Sequence, residues 1–454
     1  YNSTTQVLTG GAVGSEHAKF TVTTESGTPP QEWIIKNDGH LQKAPITILS
    51  TDSLAWKKLK DAVAAANDGD VFIIDGEIKA TNDTDNSGEI EVKKNITIQG
   101  KKTDRTDTLN ANKDAFGTAP FRIFKVEAGK KLTLENLTLK NGKNNETASG
   151  GSSNPKGKGG AIYSKGELEI RNVLITDCEA KYSGGGIYCS MSGSIADDER
   201  KLVIENTEVT SCKAPEPNYG TGGGVYIVGE NCRMNVKLSD VKIKNNEASS
   251  SAAGLCLYGS HGATTTADSV VLTRVTLHEN KLTDTGARGG AGMVFATYDR
   301  DSAITLKNCT VTKNESKTFG GGISLHSSSS GLVCGKLILE VSTVSENKAQ
   351  NGGGIYVNES NLVMKNTVLT SNTATMEGGG VYVADGTFTM KDSSRITPST
   401  GTEANERGKN DVYLANGKMI TVPAELTGTH PVARITPAAY NTTTQVLTGG
   451  AVSS

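Results

Sequence analysis

Four side chains in the middle of the chain are of the types that general acid–base chemistry uses. His261 and His326 each follow a glycine-containing motif. Asp299 and Asp301 stand on either side of Arg300. A histidine that faces a carboxylate can exchange a proton with a substrate or hold a cation. These residues form an alternative catalytic site, provided that the fold brings distant loops onto one face.

Five tyrosines follow glycine-rich motifs at similar places along the chain. Exposed aromatic side chains at regular spacing would form a binding track for a glycan or a partner strand. Rings at the same spacing would equally stack and stabilise the fold, by about 0.5 to 1 kcal/mol for each pair. The equivalent positions of other copies hold Cys256, Val294 and Ser324, and this interruption favours the structural interpretation. The five candidates are Tyr163, Tyr188, Tyr226, Tyr356 and Tyr382.

The glycine-rich motifs are spaced as in a protein built of stacked repeats. Aligned on their third small residue, the copies follow one another at intervals of 25 to 38 residues, within the range of solenoid units. A second motif keeps the same step, as in Leu132-Thr-Leu-Glu-Asn-Leu-Thr-Leu. Its apolar residues alternate with polar ones and change phase at the Asn, which predicts two short strands with a bend between them. The aligned positions are Ala161, Gly186, Gly224, Gly254, Gly292, Gly322, Gly354 and Gly380.

Three short strands in each repeat, with Gly, Asn, Ser and Thr at the corners, predict an all-β fold, a right-handed parallel β-helix. About eight to eleven coils, stacked at about 4.8 Å, would give a rod of about 40 to 55 Å. Period-2 alternation points the residues on either side of each tyrosine position inward and the tyrosines outward. The predicted inward pairs are Ile187/Cys189, Val225/Ile227, Leu255/Leu257, Met293/Phe295, Ile323/Leu325, Ile355/Val357 and Val381/Val383.

One segment, residues 53–66, has the periodicity of an amphipathic helix, and Asn67-Asp68-Gly69-Asp70 stops it. This Ala-rich helix leads directly into a strand and resembles the N-terminal cap of pectin-lyase-like β-helices. A cap is needed because an open β-helix exposes sheet edges. The predicted organisation is a β-rich junction segment (1–48), a β-helix with its capping helix (49–395), and a C-terminal β-rich cap and junction to a following repeat (396–454).

The two ends of the sequence carry nearly the same segment. Residues Tyr1 to Val13 and Tyr440 to Val452 share twelve of thirteen residues at an offset of 439. We expect this segment to recur in a tandem array of modules, in which neighbouring copies are partners of one another. The alternative is a duplicated linker peptide that flanks a single domain.

Charge and cysteine content limit the kinds of partner. The net charge is −2, with 47 basic and 49 acidic residues interspersed, so nothing suggests nucleic acid or a charged membrane surface. No apolar run reaches the roughly 18 residues of a membrane span. The seven cysteines show no metal-binding spacing, and we predict no metal site and no cofactor. Cys178 and Cys212 occupy the same position in successive coils, where either a disulfide or a reduced pair would fit.

The coils resemble the repeats of the chlamydial polymorphic outer membrane proteins, whose marks are Gly-Gly-Ala-Ile/Leu/Val and Phe-x-x-Asn. The first mark stands at Gly159-Gly160-Ala161-Ile162. The second stands at Val311-Thr-Lys-Asn314, Val344-Ser-Glu-Asn347 and Leu369-Thr-Ser-Asn372, with an aliphatic residue in place of Phe. This resemblance implies display on the outside of a bacterial cell and a role in adhesion or surface architecture.

Many β-helix proteins are polysaccharide lyases or hydrolases, so the catalytic alternative needs a test against known enzymes. Polygalacturonases carry Asn-x-Asp, Asp-Asp, Gly-His-Gly and Arg-x-Lys, and none of these occurs at coil-matched positions. We therefore expect a non-enzymatic, secreted or cell-surface module that acts as an adhesin or rigid structural unit. Its further partners would be a host-surface protein or a glycan. The alternative function is a carbohydrate-active enzyme with its site in the loops of residues 255–330.

Overall fold

The chain winds into a parallel β-helix, in which each strand pairs with the equivalent strands of the coils before and after it. This confirms the predicted all-β fold. Among the described strands, only the hairpin Trp33–Ile35 with Leu41–Lys43 is antiparallel. The computed structural model describes residues 7, 22, 33–35, 37–83, 85–117, 119–147, 154–192, 201–230, 234–260, 269–284, 289–297, 302–327, 335–400, 406–427 and 429–452.

Sheet I is the longest, with 14 strands, and reaches both ends of the stack. Strands about 4.8 Å apart give it a length of about 62 Å, which exceeds the predicted rod because its end strands lack the glycine-rich motif. Its strands are Ile46–Leu49, Val71–Asp75, Ile96–Gly100, Lys131–Glu135, Glu167–Arg171, Leu202–Glu205, Asn235–Ser239, Ser269–Thr273, Ala303–Lys307, Lys336–Glu340, Ser360–Lys365, Gly386–Lys391, Ile420–Thr421 and Leu447–Thr448.

Sheets II and III complete the three predicted faces, with 11 and 12 strands. Sheet II consists of Glu77–Lys79, Thr108–Asn110, Thr138–Lys140, Leu174–Thr176, Glu208–Thr210, Lys242–Lys244, Thr276–His278, Thr310–Thr312, Thr343–Ser345, Val368–Thr370 and Arg395–Ile396. Sheet III, which carries the strands of the glycine-rich motif, consists of Ile90–Val92, Phe124–Val126, Ile162–Ser164, Ile187–Ser192, Val225–Glu230, Leu255–Ser260, Met293–Thr297, Ile323–Ser327, Ile355–Val357, Val381–Val383, Val412–Leu414 and Ile435–Pro437.

A fourth, short sheet lies between sheets II and III in the central coils. Sheet IV has five strands of two residues each, and strands this short carry no alternation that a sequence pattern would reveal. Two longer strands, Lys348–Asn351 and Thr373–Glu377, pair with each other further along the chain. The strands of sheet IV are Lys143–Asn144, Glu179–Ala180, Lys213–Ala214, Glu247–Ala248 and Lys281–Leu282.

The predicted phase of the sheet III strands is confirmed. All fourteen predicted inward residues are buried, with at most 1% of each side chain exposed. They belong to one continuous apolar core that runs the length of the stack. Burial on this scale is the main stabilising contribution available to a chain with so few aromatic residues.

Each coil bends from sheet I into sheet II at one residue with a left-handed backbone. Asparagine tolerates this conformation better than other residues with a Cβ. The side chains of Asn136, Asn172 and Asn206 also form a row, with N···O distances of 2.8 and 3.2 Å between neighbours. The phase change at Asn in the sequence therefore marks a real bend. The bend residues with positive φ include Asn136, Asn172, Asn206, Asp240, Arg274, Asn308, Val341 and Asn366.

Among the described residues, one α-helix, Ala55–Ala64, covers the N-terminal end of the core. It is shorter than the predicted 53–66 because Leu54 has φ 51°, which breaks the helix on its N-terminal side. Trp56, Leu59 and Val63 are buried, and the Trp56 indole Nε1 donates to the Gly88 carbonyl at 2.9 Å. The helix thus takes the place that strands of sheets II and III hold in later coils.

The stack continues through residue 395, where the sequence analysis places a domain boundary. Val412–Leu414 and Ile435–Pro437 extend sheet III, and Ile420–Thr421 extends sheet I. The segment Tyr440 to Val452 contributes Leu447–Thr448, the last strand of sheet I. Its copy at Tyr1 to Val13 lies outside the described residues except for Val7, whose amide donates to the Gly39 carbonyl at 2.9 Å.

Candidate functional site

The tyrosines of the glycine-rich motif form two stacks on the outer face of sheet III. Tyr163, Tyr188 and Tyr226 lie opposite one another in successive strands. Their rings are nearly parallel, at 6° and 3°, with centroids 5.3 and 5.2 Å apart. Tyr356 and Tyr382 lie opposite each other in later coils, with centroids 5.3 Å apart and ring planes tilted by 31°. The parallel stacking expected for a stabilising column is therefore present in the first stack.

Two of the five tyrosines are not accessible to a ligand from solvent. Tyr163 and Tyr188 are each only 1% exposed, although both lie on the outer face of the strand. The Arg122 guanidinium lies 5.1 Å from the centroid of Tyr163, and the Lys158 ammonium lies 5.0 Å from that of Tyr188. For these two positions the expectation of an exposed aromatic track is wrong, because cationic side chains cover the rings.

Arg122 holds residues 154–158 in place over the tyrosine rings. It is 3% exposed, and its Nε lies 2.9 Å from the Glu89 carboxylate. Its other nitrogens donate to the carbonyls of Lys158 and Pro155, both at 3.0 Å. Burial lowers the pKa of Arg122 and raises that of Glu89. This paired, hydrogen-bonded group fixes residues 154–158 over the tyrosine stack, an arrangement that no sequence pattern indicates.

The second stack is accessible in part, as is Tyr226 at the end of the first stack. Tyr356 and Tyr382 are half-buried, and burial raises the pKa of Tyr356 to about 12. Sequence analysis missed Tyr413, which lies opposite Tyr382 with ring centroids 4.6 Å apart. No glycine-rich motif precedes Tyr413, and its only signal is the alternation in Val-Tyr-Leu. Phe319 packs against Tyr356 at 4.6 Å and adds a fourth ring to this group.

Small apolar side chains fill the gap between the two stacks. Cys256 and Val294 are buried, with 2% and 3% exposed, and pack with Ala252 and Ala296. The outer face of sheet III is thus covered in its central coils as well as in its early ones. A continuous exposed aromatic track along the whole rod is therefore absent from the part of the chain that the structure describes.

Only one residue of the alternative catalytic site lies among the described residues. His326 is half-buried at the end of the strand Ile323–Ser327. Its Nε2 lies 3.0 Å from the Ser324 hydroxyl, and its ring lies 6.2 Å from that of Tyr356. His261, Asp299 and Asp301 lie outside the described residues, so their convergence with His326 stays a prediction.

The asparagines of the Phe-x-x-Asn-like motif form a buried ladder inside the corner between sheets II and IV. Each side-chain amide donates to the side-chain oxygen of the next asparagine, at 2.9 to 3.0 Å. Each also donates to a backbone carbonyl of the preceding coil, as Asn314 does to Leu277 at 2.9 Å. All are at most 3% exposed. The ladder consists of Asn246, Asn280, Asn314, Asn347, Asn372 and Asn410.

The third glycine of the glycine-rich motif makes room for this ladder. A Cβ on Gly322 would lie 3.1 Å from the Asn347 side-chain amide and 2.6 Å from the Gly354 carbonyl oxygen. The first glycine has a different role, because it adopts positive φ, as at Gly352 with φ 65°. The glycine and asparagine motifs therefore serve one packing arrangement.

Two cysteines occupy the ladder position in earlier coils. Cys178 and Cys212 are free thiols, not a disulfide. Each donates to the carbonyl two residues before it, at 3.2 and 3.3 Å. Burial raises the pKa of Cys212 well above its usual value, which keeps the thiol protonated and unreactive. The reduced pair is thus the alternative that the structure contains.

An open groove runs along the same corner on the outside of the stack. It is lined by Glu279, Lys313, Glu315, Glu346 and Lys348, with Ser and Thr hydroxyls at one end. Charges of both signs alternate along its walls, so the groove presents no field of a single sign. Within the described residues, no group of His, Cys, Asp and Glu could hold a metal ion. No described helix has the length and apolar character needed to cross a bilayer.

Comparison with known proteins agrees with the geometry of the coils. The family model described as "Right handed beta helix region" matches residues 234–416. A search of curated proteins and a search of solved structures each found no match. The matched region contains the buried asparagine ladder, the central strands of sheets I, II and III, and the last two strands of sheet IV. The chain is therefore similar to right-handed β-helix proteins over these residues, and the same sheets extend on both sides of them.

Proposed function

We propose that the chain is a non-enzymatic β-helix module of a tandem-repeat protein on the bacterial surface, where it serves as a rigid structural unit or adhesin. One observation carries this proposal: the residues that recur from coil to coil contact their own equivalents in the next coil. The asparagines bond to asparagines, the tyrosines stack on tyrosines, and the glycines leave room for both. Repetition of this kind builds a stiff rod.

Surface display rests on the resemblance of the glycine-rich motif to the chlamydial repeats. The duplicated segment Tyr440 to Val452 supports a tandem arrangement, in which neighbouring copies are the first partners. A host-surface protein or a glycan would contact the second tyrosine stack, since Tyr356, Tyr382 and Tyr413 keep part of their rings accessible. Half-buried aromatic rings provide contact area with little loss of side-chain entropy.

Small-angle X-ray scattering and an activity screen test the proposal together. The full chain should scatter as a rod of about 60 Å or more, as the 14 strands of sheet I require. Incubation with acidic and neutral polysaccharides should release neither reducing ends nor unsaturated products. A globular scattering profile or reproducible cleavage would contradict the proposal.

The alternative is a carbohydrate-active enzyme with its site in the loops of residues 255–330. The position of His326 beside Ser324 and Tyr356 is the observation that keeps it open. If cleavage occurs, it should disappear in Asp299→Ala and His326→Ala. The exposed charge variant Lys313→Ala, in the polar groove on another face, is the matched control. Loss of cleavage in the first two variants alone would establish the enzyme.

A further inference from the structure

In the part of the chain that the structure describes, sheet I ends in an edge strand with one paired side at each end of the stack. Within the described residues, Ile46–Leu49 pairs only with Val71–Asp75, and Leu447–Thr448 pairs only with Ile420–Thr421. A free edge presents unpaired backbone groups and recruits another strand. Each of the two edges can therefore pair with a further strand.

Apolar side chains at the N-terminal edge lie unusually exposed. Ile46 belongs to the interior column of sheet I, opposite Phe72, yet it is 38% exposed because no described strand precedes it. Leu49 is 39% exposed and Leu54 is 40% exposed. An interior residue with this exposure leaves apolar surface that a neighbouring strand could cover.

The backbone of this edge strand leaves one donor directed outward. The Ser50 amide donates to Asp75 of the paired strand. Alternation in a parallel strand then directs the amides of Leu49 and Thr47 to the opposite, free side. The Leu49 amide indeed bonds to the Asp52 carboxylate, at 2.8 Å, and not to a strand. The Thr47 amide is the donor that faces the free edge.

The C-terminal edge is also incompletely covered. The amides of Ile420 and Val422 donate to Val446 and Thr448, so the backbone of Leu447 faces away from the stack. The Gln445 side-chain amide donates to the Leu447 carbonyl at 3.0 Å. Val446, Leu447 and Ile435 are only partly buried, although they pack against the core.

The copy of the duplicated segment at the start of the chain precedes the N-terminal edge strand by the number of residues in one coil. In the register of sheet I, Thr421 pairs with Thr448. Gly449 is the next residue after Thr448, and it belongs to the column of paired residues that starts with Ile46. Gly10 is the equivalent of Gly449 in the other copy of the segment, and it precedes Ile46 by 36 residues. The same 36 residues separate Ile98 from Leu134, which pair in sheet I.

We propose that sheet I continues across the junction between tandem copies, with the strand Leu447–Thr448 of one copy pairing beside Ile46–Leu49 of the next. This inference rests on the proposed tandem arrangement. In the register given above, the Thr47 amide meets the Gly449 carbonyl. Pro45, which has no amide hydrogen, meets the Leu447 carbonyl, whose partner is already the Gln445 side chain. The bonding pattern of the two edges is therefore complementary.

A two-copy protein tests this junction. Residues 14–454 are appended after Val452 of the full chain, so that the duplicated segment is shared. Thr47→Pro in the second copy removes the amide that the junction needs, and it removes no hydrogen bond between described residues of one copy. The same substitution in the first copy is the matched control, since no module precedes it. The single chain with Thr47→Pro should melt within about 2 °C of the parent, because an exposed edge residue contributes little to stability.

We expect the parent and the control to scatter as a straight rod about twice as long as the single chain. The variant in the second copy should give a shorter, flexible profile. An unchanged rod in that variant, or a flexible parent, would overturn the inference. Such a result leaves the proposed function intact, because rod shape and lack of cleavage are measured on the single chain.

Crosslinking tests the register even if the proline variant fails to fold. Thr448→Cys in the first copy and Pro45→Cys in the second copy should form a disulfide, since paired residues lie within the usual Cα separation of about 4.4 to 6.8 Å. The reversed placement, Pro45→Cys in the first copy and Thr448→Cys in the second, puts the thiols at opposite ends and should give no crosslink. Peptide mapping distinguishes these from the native cysteines. Absence of the first crosslink would contradict the register.

Discussion

Replacing Asn314 by alanine tests whether the buried asparagine ladder stabilises the stack. The Asn314 side-chain amide donates to Leu277 and to Asn347, both at 2.9 Å. Its side-chain oxygen accepts from the backbone and side-chain amides of Asn280, at 3.0 and 2.9 Å. Alanine removes all four bonds and leaves the Asn280 backbone amide buried without an acceptor. An unsatisfied buried group costs about 1 to 3 kcal/mol, and the emptied space adds a further term.

We therefore expect Asn314→Ala to lower the free energy of unfolding by about 3 to 4 kcal/mol. Urea unfolding followed by far-ultraviolet circular dichroism measures this change. Lys313→Ala is the matched control, because Lys313 lies in the same corner but is exposed, and it should change stability by less than about 0.5 kcal/mol. Asn314→Cys should cost less than alanine, since thiols occupy this column at Cys178 and Cys212. If alanine and the control were equally stable, the ladder would contribute nothing.

Three further predictions concern single positions. Val341 has φ 51° and is 52% exposed, so Val341→Asn should raise the free energy of unfolding by about 1 kcal/mol. Asn366→Val at the equivalent bend should lower it, and urea unfolding measures both changes. Ile355→Asp should destabilise severely, because it buries an unpaired charge, whereas Tyr356→Ser should cost under about 1.5 kcal/mol; a reversed order of melting temperatures would mean that the strand phase is wrong. Burial raises the pKa of Tyr356 from 10.0 to about 12. The neutral Tyr356 side chain therefore contributes fully to the free energy of unfolding below pH 10.0, and this contribution declines towards pH 12. In Tyr356→Phe, the free energy of unfolding should decline less over this pH range.

Most of the fold can be predicted from periodicity. The remaining features depend on contacts between coils. Alternation around Ile355 and Val357 predicts burial, because a strand has only two faces. The cover over Tyr163 has no such signal, since it depends on Arg122 reaching the carbonyls of residues 154–158. The strands of sheet IV escape detection because two residues cannot show a period.

The candidate site was predictable only in part for the same reason. The spacing of the tyrosines indicates a column, and the rings of Tyr163, Tyr188 and Tyr226 stack in the structure. Spacing cannot tell which rings stay accessible, because exposure is decided by neighbours such as Arg122, Lys158 and Phe319. The catalytic alternative remains a prediction, since His326 alone of its residues is described.

The pattern of glycine and alanine in the motif shows how contacts between coils constrain the sequence. The third position keeps glycine at Gly224, Gly254 and the later copies, where an asparagine of the next coil lies within about 3 Å of a Cβ. The earliest copy has Ala161 there, and the ladder residue of the next coil is Cys178, whose thiol is smaller than an amide. Alanine also replaces the first glycine at Ala252, which keeps positive φ. Each of the two positions therefore departs from glycine in one of the eight copies: the third where the ladder residue is a thiol, and the first where alanine keeps positive φ.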